Sequence, residues 1–396
     1  MGAGCAALLL FTVTISGSRS AWVYLAALAL LAWWLWKRDK SAAAERLFFF
    51  CMLLLPAMAL MQWAARLPFL LPAEGGMETS AQRLFEAAAG IGARLQLWRE
   101  AWWMFLEAPL LGLGFGQFAW HHFEFHALFD TFARELFNHA HNLVLQLLAE
   151  TGLVGTALAL AGTVVWLVGF GRVAFTLERW WIAAALAVIG IHSMLELPLW
   201  YAYFLGIAAV LAGLGAAQRV ALTAQRSGCA AMIAMLVFGW WSAFTAVQGY
   251  RSFERLVFTP YRQTSDVPPA EKWVEQLTRL HREPLLTPYV EFALAFGIEV
   301  SEEALGDKLA LNSRVMRFAP ADTVVYRQAL LLALAGDSER AAIQLQHAIR
   351  VYPGGLRDAV AALQDLTRRF PGRFGPLLEL ATSMSAGGDA SRAVQY

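Results

Sequence analysis

The sequence predicts an all-α fold, a polytopic bundle of about seven membrane helices followed by a helical-repeat domain of tetratricopeptide type. Three observations lead there. The 396 residues are 58% hydrophobic and only 15% charged, with 16 Trp and 26 Phe, far outside the range of soluble domains. Apolar segments long enough, or nearly so, to cross a hydrocarbon core of roughly 30 Å recur about seven times. After Tyr250 the composition turns charged and amphipathic.

The spans read as 3–16, 21–36, 46–62, 143–170, 180–197, 200–217 and 229–248. The first is short, and Met1-Gly2-Ala3 lacks the charged start of a signal peptide, so the chain is expected to begin partway through a larger architecture. Four segments follow: membrane helices in 1–63, an external loop with interfacial helices in 64–142, membrane helices in 143–250, and a helical domain in 251–396.

Lys and Arg collect in alternate loops, which sets the orientation. Lys37, Arg38, Lys40 and Arg46 lie between spans two and three, Arg172 and Arg179 between four and five, Arg219 and Arg226 between six and seven. The turn HSMLELPLW (192–200) has neither residue, as expected of the opposite side. This alternation predicts that the loop after Ser18, the stretch from about Ala64 to Asn142 and everything after Tyr250 lie outside the cytoplasm. In a Gram-negative cell that side of the inner membrane is the periplasm.

The long external stretch, LQLWREAWWMFLEAPLLGLGFGQFAWHHFEFHALF, is too aromatic for a free linker. It predicts helices lying in the interface, broken by Pro109 and by Gly112, Gly114 and Gly116, and folded back as a lid. Pro260, Pro268 and Pro269 mark a linker into the tail. There, Ala329, Gly336, Ala341, Ala348 and Pro353 stand at offsets resembling the tetratricopeptide repeat, in which small residues let antiparallel helices pack closely. A nonspecific amphipathic bundle is the alternative.

A net charge of +1 gives no basic field for nucleic acid. Cys5, Cys51 and Cys229 fall in apolar runs without paired spacing, so neither a disulfide framework nor a zinc site is suggested. HHFEFH puts His122 and His126 on one helical face, but there is no HExxH, and His121, His122 and His126 read as amphipathic interfacial residues.

The chemistry-bearing candidates cluster elsewhere. Arg19 lies between two spans, where a charge at the bilayer centre would cost roughly 2.5–3.5 kcal/mol, so it is either an interfacial anchor or a ligand group. Arg94 and Arg99 stand beside Trp98 and Trp102, which suits headgroup anchoring or, through the guanidinium fork, a pyrophosphate clamp. His139 and His141 precede span four, where a neutral imidazole can take a proton from a hydroxyl. Alternatively NHAHN is a helix cap, with Asn138 or Asn142 satisfying free N–H groups. Glu196 either orients a histidine or caps its helix, and the cap is the expectation.

The succession SGSRSAW, then R…LW…APLLGLGFGQF, then HAHNLVLQLLAETGLVG resembles the bacterial O-antigen ligase and polymerase superfamily. IHSMLELPLWYAYFLG and the helical tail resemble its protein O-oligosaccharyltransferase branch. The resemblance covers roughly residues 5–260. It implies transfer of a glycan from an undecaprenyl-pyrophosphate carrier to a hydroxyl acceptor on the periplasmic face, with no metal and no cofactor. The acceptor is Ser or Thr of a periplasmic protein such as pilin, a lipid A core sugar, or a growing glycan. Arg19 and Arg94, with Arg99 in support, match the pyrophosphate-holding arginines, and His141, with His139 in reserve, the base. Family members usually have about a dozen spans, and this chain shows about seven. Two other classes compete: a membrane transporter, against which stand the lack of an inverted repeat and the few mid-span polar residues, and a noncatalytic assembly protein whose tail recruits partners.

Overall fold

The computed structural model describes residues 2–16, 18, 20–64, 88–128, 136–217, 225–262 and 270–393. Arg19 lies outside the described residues, as do Arg219 and Pro268–Pro269. Regular structure among the described residues is entirely helical. They fall into two compact units, one of residues 1–118 and 137–220, the other of 119–136 and 221–396.

The first unit contains α1 (Gly2–Ile15), α2 (Ser20–Asp39), α3 (Ala42–Ala64), α4 (Ala88–Glu107), α6 (Leu143–Gly171), α7 (Leu177–Ser193) and α8 (Ala202–Gly215). α2, α3 and α6 are long and apolar enough to cross a membrane, whereas α1 and α8, with 14 residues each, are shorter apolar helices. Small residues set the approach of α2 to α3: Ala29, Ala32 and Cys51 are buried together. This follows from lipid tails being as apolar as Leu, so that close van der Waals packing rather than water exclusion draws such helices together.

One end of this unit gathers its cations. Lys37 and Arg38 occupy the last turn of α2 and stack on Trp36 and Trp34. Arg179 lies over Phe170 and donates to the Phe170 and Gly215 carbonyls, so one guanidinium satisfies the C-terminal ends of α6 and α8. The opposite end holds the N-terminus of α6 and the C-terminus of α7.

The second unit contains α5 (Phe118–Leu128) from Ala119 onward, then α9 (Gln225–Arg262), α10 (Ala270–His281), α11 (Thr287–Phe296), α12 (Leu305–Phe318), α13 (Asp322–Leu334), α14 (Ser338–Val351), α15 (Leu356–Arg369) and α16 (Pro371–Ala393). Residues 226–257 of α9 are apolar enough to span a membrane, which makes four such helices among the described residues. Toward its C-terminal end α9 buries Phe253 and Leu256 against Leu277, Leu280 and Val290.

From α11 onward successive helices pair. Gly336, at φ +88, turns α13 into α14, and Asp337 caps α14 by accepting from the Arg340 N–H. Ala329, Ala341 and Ala348 are fully buried, as their spacing predicts. Asn312 and Gln328 share a buried hydrogen bond of 2.8 Å.

In α5, Phe123 belongs to the core shared by α11–α16, and His122 is fully buried.

Candidate active site

The break at Pro109–Gly116 is real, and it docks on a second break. α6 loses helical geometry at Gly152 (φ 63, ψ −163). The loop before α5 takes up the freed groups: Leu113 and Gly114 N–H donate to the Ala149 and Glu150 carbonyls at 2.9 and 3.1 Å, while Leu153 and Val154 N–H donate to Pro109 and Leu110 carbonyls at 2.8 and 3.1 Å. Backbone polar groups next to a membrane helix have no water to fall back on, so such mutual satisfaction is required. A Cβ on Gly112 would stand 2.3 Å from the Glu150 carbonyl carbon, and one on Gly152 would stand 2.4 Å from the Leu110 oxygen. Glu150, buried, locks the junction by accepting the Phe118 N–H.

α4 packs along α6 through Leu97, Ala101 and Met104, all buried, at helical spacings of four and three. Arg94 lies three residues before Leu97 and continues that stripe. Arg99 sits roughly 140° round the helix from Arg94 and is exposed.

The histidine segment is wound back over the start of α6. Asn142 caps that helix by accepting the Val144 and Leu145 N–H groups, both at 3.1 Å, so the cap reading of NHAHN holds for Asn142. Gln146 accepts the Ala140 N–H at 2.8 Å. Between these anchors His141 adopts φ +52, a left-handed conformation that costs a non-glycine residue roughly 1–2 kcal/mol. The strain has a use: it lets the cap and an outward imidazole come from adjacent residues. The His139 and His141 rings meet edge to face with centroids 4.1 Å apart.

All of these side chains converge on Glu196. Its Oε2 lies 2.8 Å from His141 Nδ1 and 4.0 Å from His139 Nε2, and its Oε1 lies 3.5 Å from an Arg94 amino group. The cap expectation fails, because Met194 is the C-cap of α7 and the carboxylate orients the histidine instead. The His141 hydrogen bond, partly opposed by burial and helped by the charges of His141 and Arg94, holds the Glu196 carboxyl below the usual range. An ionised carboxylate only accepts, so Nδ1 of neutral His141 carries the proton and Nε2 is left with the lone pair. Burial pushes His139 below the usual imidazole value, which favours its neutral form.

Two family models and one relative match the chain. The family described as O-antigen ligase matches residues 4–160, and the family described as virulence factor membrane-bound polymerase, C-terminal, matches residues 180–369. Between them the two matches make most of the chain similar to an O-antigen ligase and to the C-terminal part of a membrane-bound polymerase. A relative named general O-oligosaccharyltransferase, from Acinetobacter baylyi, is 28% identical over 222 residues, covering 56% of this chain. The chain spans 38% of that relative's length. No solved structure matches. With four membrane-length helices among the described residues and this similarity to a membrane ligase, the protein is an integral membrane protein.

Of the site residues expected from sequence, the structure brings together Arg94, His139 and His141, and leaves Arg99 outside the cluster. Sequence reasoning undervalued Glu196 and missed Tyr24. The Tyr24 hydroxyl bonds His192 Nδ1 at 2.7 Å, tying α2 to the last turn of α7. His192 O in turn accepts the Glu196 N–H at 2.8 Å. A signal was present: His192 and Glu196, four apart in a turn without Lys or Arg, are the turn's only titratable side chains before Tyr201.

Proposed function

We propose that this chain is a metal-independent glycosyltransferase that moves an oligosaccharide from undecaprenyl pyrophosphate to a hydroxyl, that of Ser or Thr in a periplasmic protein such as pilin. The observation that carries this reading is the His141–Glu196–Arg94 constellation. A hydroxyl nucleophile needs a base, and a sugar pyrophosphate needs its leaving-group charge held. His141 Nε2 takes the acceptor proton while the oxygen attacks the anomeric carbon. The bond from that carbon to the pyrophosphate oxygen breaks, the configuration inverts, and undecaprenyl pyrophosphate leaves with the electron pair. Arg94 and Arg19 hold its charge, and Glu196 stabilises the imidazolium.

Several observations support the setting. The site stands at the end of its unit opposite Lys37, Arg38 and Arg179, which under the positive-inside rule is the periplasmic side of the inner membrane. An apolar cavity of about 620 Å³ runs between α1, α2 and α3 from Leu9 and Leu54 to Ser18 and Tyr24, a lining that suits an isoprenoid chain with its polar end at the mouth. On this reading α1–α3 and α6–α9 are the seven spans. The paired helices α11–α16 with buried alanines form a periplasmic tetratricopeptide-like domain after residue 251, and 64–142 forms the external loop. The relative's name favours an oligosaccharide as the group transferred, and the IHSMLELPLWYAYFLG element with the helical tail favours a protein acceptor. The two family descriptions favour a second reading, with the lipid A core or a growing O-antigen as acceptor.

The test is transfer in liposomes from lipid-linked oligosaccharide to pilin, with Arg19, Arg94 and His141 each replaced by Ala. Loss of transfer with retained folding is expected, and full transfer by His141→Ala would overturn the proposal. Glycan on lipid A core instead of protein, seen as a ladder on a gel, would assign the second reading.

A further inference from the structure

His139, His141 and Glu196 have a second property, independent of their part in a proton transfer. One donor atom from each lies within 4.8 Å of the other two. A tetrahedral zinc ion with bonds of about 2.0–2.1 Å needs its donors about 3.4 Å apart. The His141–Glu196 distance of 2.8 Å must open, and the His139–Glu196 distance of 4.0 Å must close, each by about half an ångström. Two imidazoles and one carboxylate match the three-ligand set of zinc sites that keep a fourth position for water. Arg94 contacts the other carboxylate oxygen and need not be displaced, although its charge lowers the affinity.

We propose that His139, His141 and Glu196 form an inhibitory site for a divalent transition-metal cation of the zinc class. The inhibition follows from the tautomer and rests on the reading of His141 as base. A metal on Nδ1 takes the place of the proton shared with Glu196. That proton moves to Nε2, so the imidazole has no lone pair left for an acceptor hydroxyl. Glu196 is engaged at the same time and no longer stabilises an imidazolium. Zinc and the acceptor's proton therefore compete for one ring.

Zinc binding to the full chain in detergent is measured at neutral pH by competition with a chromogenic chelator, alongside transfer with and without zinc. Tight binding of one equivalent is expected, weakened about tenfold or more in His139→Gln and Glu196→Gln. His121→Gln, which alters the 3.2 Å His121–Glu124 contact in the second unit, is expected to bind as the wild type does. Zinc should abolish transfer, and a chelator should restore it. Absence of binding, or binding unchanged by His139→Gln and Glu196→Gln, would sink the metal site and leave the base assignment standing. Stoichiometric binding at this site with undiminished transfer would remove the base assignment itself. Stimulation by zinc would refute both the inhibition and the metal-independent reading.

Discussion

Glu196→Gln tests the organising claim of the site, that one carboxylate sets the tautomer and charge of the base. Gln keeps the shape and can still accept from His141 Nδ1, so the contact survives as a neutral hydrogen bond. A charged hydrogen bond contributes roughly 1.5–3 kcal/mol and a neutral one roughly 0.5–1.5. The difference of about 1–1.5 kcal/mol corresponds to roughly five- to twelvefold in rate at 1.36 kcal/mol per decade. The side chain of Glu196 is 39% exposed and that of Arg94 38%, so solvent screens the pair at 3.5 Å and it adds at most about 1 kcal/mol. Glu196→Ala removes the acceptor altogether, and roughly ten- to 150-fold is expected from losing the full charged bond. Because the bond strengthens as His141 gains a proton, the loss should fall on kcat with KM for the acceptor unchanged. The assay is steady-state transfer in liposomes with both substrates varied. If Glu196→Ala kept full kcat, or raised only KM for the lipid-linked donor, the carboxylate would not be orienting the base and the argument would fail.

Gly152→Ala should lower the thermal midpoint in detergent sharply, since a residue at φ +63 costs about 1–2 kcal/mol before the clash with the Leu110 oxygen is counted; an unchanged midpoint would contradict the interlocked loop. Tyr24→Phe removes one half-buried hydrogen bond and should cost about 1 kcal/mol of stability with a kcat loss below that of Glu196→Gln, because it acts on Glu196 only through the end of α7. Thermal shift beside transfer kinetics separates the two effects. Acidification should destabilise the protein in two stages. His139, held low by burial, resists protonation in the fold, so stability declines as pH drops below the free imidazole value of about 6.5. Glu196, held low chiefly by His141, contributes stability above the free carboxyl value of about 4.3 that disappears as pH falls through its lower folded value. Thermal scans at stepped pH check this, and Glu196→Gln should flatten the second stage. Rising stability on acidification would reverse both signs.

Much of the fold was open to reading from hydropathy and punctuation. Four apolar runs became helices long enough to span, and Pro109 with Gly112 and Gly116 ended α4 as expected. The alanines of the α13–α14 hairpin were found by spacing alone because close helix packing tolerates nothing larger at those points. What spacing could not give is the partner of an aromatic surface. Phe123 and His122 look the same in sequence whether lipid or a helical domain covers them, since both environments accept the same side chains.

The site divides along the same physical line. Arg94 was readable beyond its charge, because it stands on the stripe of Leu97, Ala101 and Met104, whereas Arg99 lies off that stripe and is exposed. Glu196 carried no such local mark. Its role depends on a residue 55 positions away, and on the left-handed turn at His141 that swings an imidazole toward it. A cap needs only the end of its own helix, so local reasoning preferred it. Nor does sequence predict the turn, because φ +52 at histidine runs against propensity and is held only by the Asn142 cap and the Gln146 brace. Asn142, read from sequence as a helix cap, and Gln146 together hold the strain that makes His141 available. Replacing Gln146 should therefore disturb the base without touching any reacting group.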